Sequence, residues 1–134
     1  MAAFDINTRI DLIKRRTVPV STGTFITGRW IALDSNGYAS TPSAGATNVY
    51  LTILGNENRP DSIGSNSVTV QYGENLYTLN TYGMNDTITA GQALKVDTNG
   101  DLVVASGTYT AVAVAFAENS VNQGVTGLKI RTLV

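Results

Sequence analysis

The chain of 134 residues carries nine basic and ten acidic side chains, for a net charge of −1, and contains neither cysteine nor histidine. Those absences exclude disulfides, zinc thiolates and thiol nucleophiles, and remove the side chain that most often acts as general base or metal ligand. Charged residues make up only 14% of the chain, against about 25% in ordinary globular proteins. Thr, Asn, Ser and Gly take their place, and such a neutral polar surface suits a protein that packs against copies of itself or a large assembly.

The length fits one domain, and a chain of this size buries roughly 68% of its unfolded surface, enough for a core without covalent staples. The opening "MAAFDINTRIDLIKRR" carries charges where a signal peptide has an apolar centre. No apolar run approaches the ~20 residues of a membrane span. The expectation is a soluble chain made in the cytoplasm, with no cofactor. Charge is uneven: residues 1–30 hold five basic residues against two acids, and the remainder holds four against eight.

Residues 1–20 differ from the rest. Ile10, Leu12 and Ile13 followed by Lys14, Arg15 and Arg16 fit a short helix with a basic last turn. Phe4 and Ile6, alternating with polar neighbours, fit an extended arm equally well. We take this segment as an arm that docks on a partner, and residues 21–134 as the β domain.

From Thr24 onward the signals are strands and turns. "TFITG" and "RWIAL" are β-rich, and Asn36-Gly37 closes a hairpin that is expected to be of type I′. "NVYLTIL" at 48–54 reads as a buried strand, "GNENRPDSIGSN" as a loop and "SVTVQY" as an alternating strand. "NLYTLNTY" is a further strand candidate. "ITAGQALKVD", the turn Asn99-Gly100 and "DLVVAS" form a second hairpin. "YTAVAVAFA" reads as a strand buried on both faces, "ENSVNQG" as a loop, and "TGLKIRTLV" as the closing strand.

The chain repeats itself. Gly28, Asp34, Asn36, Gly37 and Ser43 correspond to Gly91, Asp97, Asn99, Gly100 and Ser106. Farther on, Glu57-Asn58 corresponds to Glu118-Asn119, Gly64 to Gly124, and "SVTVQY" to "GLKIRT". The halves, about 28–72 and 91–134, each lack enough apolar surface to close a core, so each is expected to bury its apolar face against its twin. The fold class expected is all-β: a small barrel or sandwich of two pseudo-repeated halves.

Little in the sequence reads as chemistry. Asp97, Asn99 and Asp101 match the first, third and fifth positions of a calcium loop, but Leu102 stands where glycine is required and Thr108 where a bidentate glutamate is required. The reading is a hairpin turn whose aspartate bonds local amides. Glu57 and Glu118 could form a carboxylate pair, yet no aromatic platform accompanies them, and turn capping or contact with a neighbouring subunit is expected instead. A single Lys14–Arg16 triplet on an otherwise acidic protein does not argue for nucleic acid. Asn85-Asp86-Thr87 is a glycosylation sequon that has meaning only on a secreted chain. Trp30, Tyr72, Tyr77 and Tyr82 break the symmetry of the repeat and are read as core fillers or interface anchors.

The string "AGQALKVDTNGDLVVAS…YTAVAVAFAENSV…GLKIRTL" resembles the small head-decoration, or capsid cement, proteins of tailed bacteriophages. The likeness covers most of residues 20–134 and consists of turn and strand patterns. Ala111 or Ala113 stands where the family pattern has a glycine before the alternating strand. The resemblance implies a β-rich structural protein, not an enzyme, on the exterior of the virion. Its partner would be the major capsid protein, with neither nucleic acid nor membrane bound. It would be a homo-oligomer, a trimer in preference to a dimer. Contacts would come from the N-terminal segment: Phe4, Ile6 and Ile10 as apolar anchors, with Arg9, Lys14, Arg15 and Arg16 as charged contacts. A reading of another class is a carbohydrate- or receptor-binding module of a tail or surface structure, using Tyr38, Tyr77 and Tyr82.

Overall fold

The computed structural model describes residues 14–57, 66–79, 87–105, 112–122 and 127–134. Phe4, Ile6, Arg9, Ile10, Thr108 and Tyr82 lie outside them, as do Asn85, Asp86 and residues 1–13 as a whole. Ten strands are described: β1 (Arg15–Pro19), β2 (Trp30–Leu33), β3 (Ala39–Ser40), β4 (Tyr50–Leu54), β5 (Ser67–Gln71), β6 (Leu76–Leu79), β7 (Ala93–Val96), β8 (Leu102–Val104), β9 (Ala115–Ala117) and β10 (Leu128–Thr132). They form two antiparallel five-stranded sheets with orders β1-β5-β4-β2-β3 and β6-β10-β9-β7-β8. Adding five to each label of the first order produces the second. The fold is all-β and duplicated.

The duplication extends beyond the span legible in sequence. Gly28 donates to the Thr52 carbonyl and Thr52 to that of Arg29; Gly91 and Ala117, and Ala117 and Gln92, repeat the pair. Val70 and Ile130 are thus equivalent, and they face Arg16 on β1 and Tyr77 on β6. "RRTV" and "LYTL" share a single residue, which hides this match from any reading of identities. The sheet begins at Arg15, so the last part of the expected arm, residues 15–19, belongs to the β domain.

Both hairpins differ from the expected turn. Gly37 and Gly100 have φ of 84° and 82°, whereas the only non-glycine with positive φ among the described residues is Lys14. A type I′ turn needs two such residues; a type I turn followed by a bulged glycine needs one. The glycine amides donate to Asp34 and Asp97 carbonyls at 3.0 and 3.1 Å. Asp34 Oδ1 accepts from the amides of Asn36 and Tyr38, and Asp97 Oδ1 from those of Asn99 and Asp101. An aspartate at the first turn position makes these bonds locally, which selects type I. "TFITG" is not a strand either: Ile26 accepts from Arg29, and Gly28 turns the chain at φ 93°.

The halves do not pack through equivalent faces. One face of the first sheet forms its own cluster of Val18, Ile31, Ala39, Val68 and Val70, with Phe25 and Tyr50 against it. The corresponding face of the second sheet carries Leu94, Leu102, Leu128 and Ile130, and these pack with Trp30, Val49 and Leu51 from the opposite face of the first sheet. Alternation of side chains along a strand makes this head-to-tail layering explicit: Ile31 goes to one cluster and its neighbour Trp30 to the other. The twins therefore meet in an offset stack: the second half buries its apolar face against the first, which meets it with the opposite face. It explains why Trp30 and Ala32 have Ala93 and Lys95 as counterparts. The first pair looks into the shared core, and the second lies on the outer face of the second sheet.

Polar bonds pin the layers. The Trp30 amide donates to the Gly100 carbonyl at 2.8 Å and the Gly45 amide to that of Val96 at 2.9 Å. Gln71 and Thr132 are fully buried. Gln71 Oε1 accepts from Asn75 Nδ2 at 2.7 Å, and Thr132 Oγ1 donates to the Gly73 carbonyl at 2.6 Å and accepts from the Asn75 amide at 2.8 Å. These bonds tie the crossover between the halves, from β5 to β6, to the end of β10, and they offset the cost of taking the groups out of water.

Candidate functional site

The feature that stands out from this frame is β1 at the margin of the first sheet. Val18 points into the core while Arg15, Arg16 and Thr17 are exposed. Lys14 enters the strand with φ 55°, a conformation unusual for a residue with a side chain. It runs past Gly73, where an added Cβ would lie 3.6 Å from Lys14 Cδ. The ion pairs Arg29–Asp101, Arg131–Glu74 and Arg131–Glu118 involve none of Lys14, Arg15 and Arg16.

Beside β1 lies an open groove of about 600 Å³, lined by Arg16, Tyr50, Tyr72, Gly73 and Val134. Arg16 pairs with Val70 on β5 and Val70 with Thr52 on β4, and Tyr50 lies two residues from Thr52 on the same face. The Arg16 guanidinium lies 5.5 Å from the centre of the Tyr50 ring, within the range of a cation–π contact. Tyr50 was legible only as part of a buried strand. Its counterpart in the second half is Ala115, and that mismatch of size is the signal that could have set it apart.

The other anticipated residues are dispersed. Trp30 is 1% exposed and sits between the layers. Tyr72 is half-buried in the groove, and Tyr77 is half-buried on β6. Burial pushes the Tyr77 phenol up, and the nearby Arg15 charge partly opposes it. Asn36, Gly37, Asn99 and Gly100 form the two hairpin turns. Glu57 Oε1 accepts from the Thr27 amide at 3.2 Å, and Glu118 pairs with Arg131 at 3.1 Å, so the two glutamates serve different partners. Asp101 bonds Arg29, and Asp97 bonds its own turn, which leaves the "DTNGD" carboxylates committed within the protein. Among the described residues, no group of three or more acidic side chains is placed to hold a metal ion.

The outer face of the second sheet is the other distinctive surface. Arg131 lies 5.2 Å from the Phe116 ring centre and pairs with Glu118 and, at 3.9 Å, with Glu74. Leu76, 71% exposed, stands at its margin. A scan against models of known protein families finds no match for this chain, and a search of curated protein sequences finds none either.

Proposed function

We propose that the protein is a structural, non-enzymatic component of a bacteriophage virion, made in the bacterial cytoplasm. It binds the exterior of the expanded capsid and stabilises contacts between copies of the major capsid protein. The observation that carries this reading is the exposed basic strand edge at Lys14–Arg16, at the end of the N-terminal segment. The resemblance to head-decoration proteins and the low overall charge support it. A homo-oligomer, trimeric by preference, would present several such edges at once. Multivalent attachment raises the effective concentration of each successive contact. Phe4, Ile6, Arg9 and Ile10 would extend the same contact. The partner is protein, since a chain of net charge −1 gains little from a phosphate backbone.

Co-sedimentation with undecorated, expanded heads tests the proposal. Saturable binding at a fixed ratio to the major capsid protein is expected. Absence of binding would turn attention to a second reading, a carbohydrate- or receptor-binding module, which the Arg16–Tyr50–Tyr72 groove favours because apolar clefts with a few polar groups suit small ligands. A glycan screen would then follow.

A further inference from the structure

The backbone of β1 defines what its open edge can accept. Tyr72 donates to the Lys14 carbonyl at 3.0 Å and Val20 to that of Asn66 at 2.7 Å. Between these pairs the register runs Arg15↔Gln71, Arg16↔Val70, Thr17↔Thr69, Val18↔Val68 and Pro19↔Ser67. Antiparallel ladders alternate bonded and non-bonded pairs. Lys14, Arg16, Val18 and Val20 therefore bond inward to β5, and Arg15, Thr17 and Pro19 turn their backbone groups outward. Pro19, which has no N–H to donate, occupies an outward position, where a sheet edge tolerates it. The outward donors are the amides of Arg15 and Thr17, with three carbonyls beside them. Among the described residues no strand pairs with this edge.

Charge then selects the occupant. Alternation puts Arg15 and Arg16 on opposite faces of the sheet, with Lys14 at the entry, so cations flank the open edge on both sides. A second copy of β1 would meet like charge, which is how natural proteins keep strand edges from pairing with themselves. A strand bearing carboxylates meets the opposite condition. It gains main-chain bonds from Arg15 and Thr17 and the attraction of the positive charge that Lys14, Arg15 and Arg16 place at this margin. We propose that β1 is an acceptor edge for an extended acidic segment of a partner protein, which adds as a further strand outside Arg15–Thr17. The proposal goes beyond the shell-binding reading, because it requires only a partner with such a segment.

The test uses the full chain and a short, end-capped peptide with consecutive glutamates inside a run of Thr and Val. Backbone amide NMR and hydrogen exchange report the binding. The Arg15 and Thr17 amides are expected to shift and gain protection, while those of β6 stay unchanged. Arg15→Glu combined with Arg16→Glu is expected to lower the affinity by about tenfold or more. The same variant should bind a lysine-bearing peptide of otherwise equal sequence. Thr17→Pro removes one outward donor and no inward bond, so it should abolish binding while Thr17→Val retains it. Protection of the Tyr72 and Val20 amides verifies that β1 remains docked on β5 in each variant. Equal affinity of the charge-reversed variant for the acidic peptide would overturn the proposal. So would shifts mapping away from β1, or no binding at millimolar peptide. If Thr17→Pro unfolds, the charge-reversal pair alone decides.

Discussion

Arg29 Nε lies 3.1 Å from Asp101 Oδ1, and this ion pair joins the turn before β2 in the first half to the end of the hairpin in the second. The counterparts of these residues are Gln92 and Tyr38, so the pair exists once in a molecule that otherwise repeats its turns. Burial is the largest influence on the Asp101 carboxyl and raises its pKa; Arg29 opposes the rise and Asp97 adds to it.

A carboxyl with a raised folded-state pKa contributes its stability below the unfolded value, and that contribution is lost as pH rises through the folded value. Asp101→Asn, which mimics the protonated group, is thus expected to compare most favourably with wild type near neutrality. Wild type should gain on the variant as pH falls through the carboxylate range. Urea midpoints of both proteins at neutral and acid pH measure the difference; a gap that moves the other way would refute this assignment. Asp101→Ala, which also leaves Arg29 without this acceptor, should cost about 1–3 kcal/mol.

The two hairpin glycines are expected to behave differently despite their matched φ. A Cβ at Gly37 meets nothing within 4 Å, whereas one at Gly100 runs into the Trp30 carbonyl oxygen. Gly37→Ala should cost only the left-handed strain, about 1–2 kcal/mol. Gly100→Ala should cost clearly more, because it also forces the second hairpin off the Trp30 backbone. Thermal or urea denaturation of the two variants side by side checks the ranking.

Ala32 and Lys95 occupy equivalent positions on β2 and β7, and the offset stack puts only Ala32 against the shared core. Lys95→Ala is expected to alter stability by no more than about 0.5 kcal/mol, as at ordinary surface sites. Ala32→Lys drives a cation between the layers and should destabilise by several times as much. Equal effects at the two sites would contradict the head-to-tail arrangement.

Trp30, the chain's single tryptophan, touches both halves through one core. Its fluorescence and the far-UV circular dichroism should therefore report the same unfolding midpoint, as expected for a cooperative unit. Trp30 Nε1 has no hydrogen-bond partner. Trp30→Phe removes that unpaired donor along with some packing and should cost much less than Trp30→Ala, for which the loss is about 3–5 kcal/mol. Circular dichroism in urea distinguishes the two.

The basic edge was legible only in part. Lys14, Arg15 and Arg16 stood out as a basic triplet, but their role as a strand edge depends on β5, which lies about fifty residues later in the chain. Tyr50 joins Arg16 and Tyr72 only because β4, β5 and β1 are neighbours in space. Trp30 was legible as a residue that breaks the repeat, and its burial follows from which face of the first sheet the second one covers.

Local chemistry determined the strands and turns. The period-two runs around Val68, Val70, Leu128 and Ile130 became β5 and β10, and Asp-Ser-Asn-Gly and Asp-Thr-Asn-Gly became hairpins, because these preferences act over a few bonds. The spacing of the repeated residues likewise determined that the chain holds two related halves. Tertiary structure alone decided how the halves meet. Each sheet has two faces, and either can be covered if it is apolar enough. The first sheet is apolar on both, with Ile31 on one side and Trp30 on the other, and the second, with Leu94 facing in and Lys95 facing out, on one. That difference admits a stack in one order and leaves β1 at an open edge.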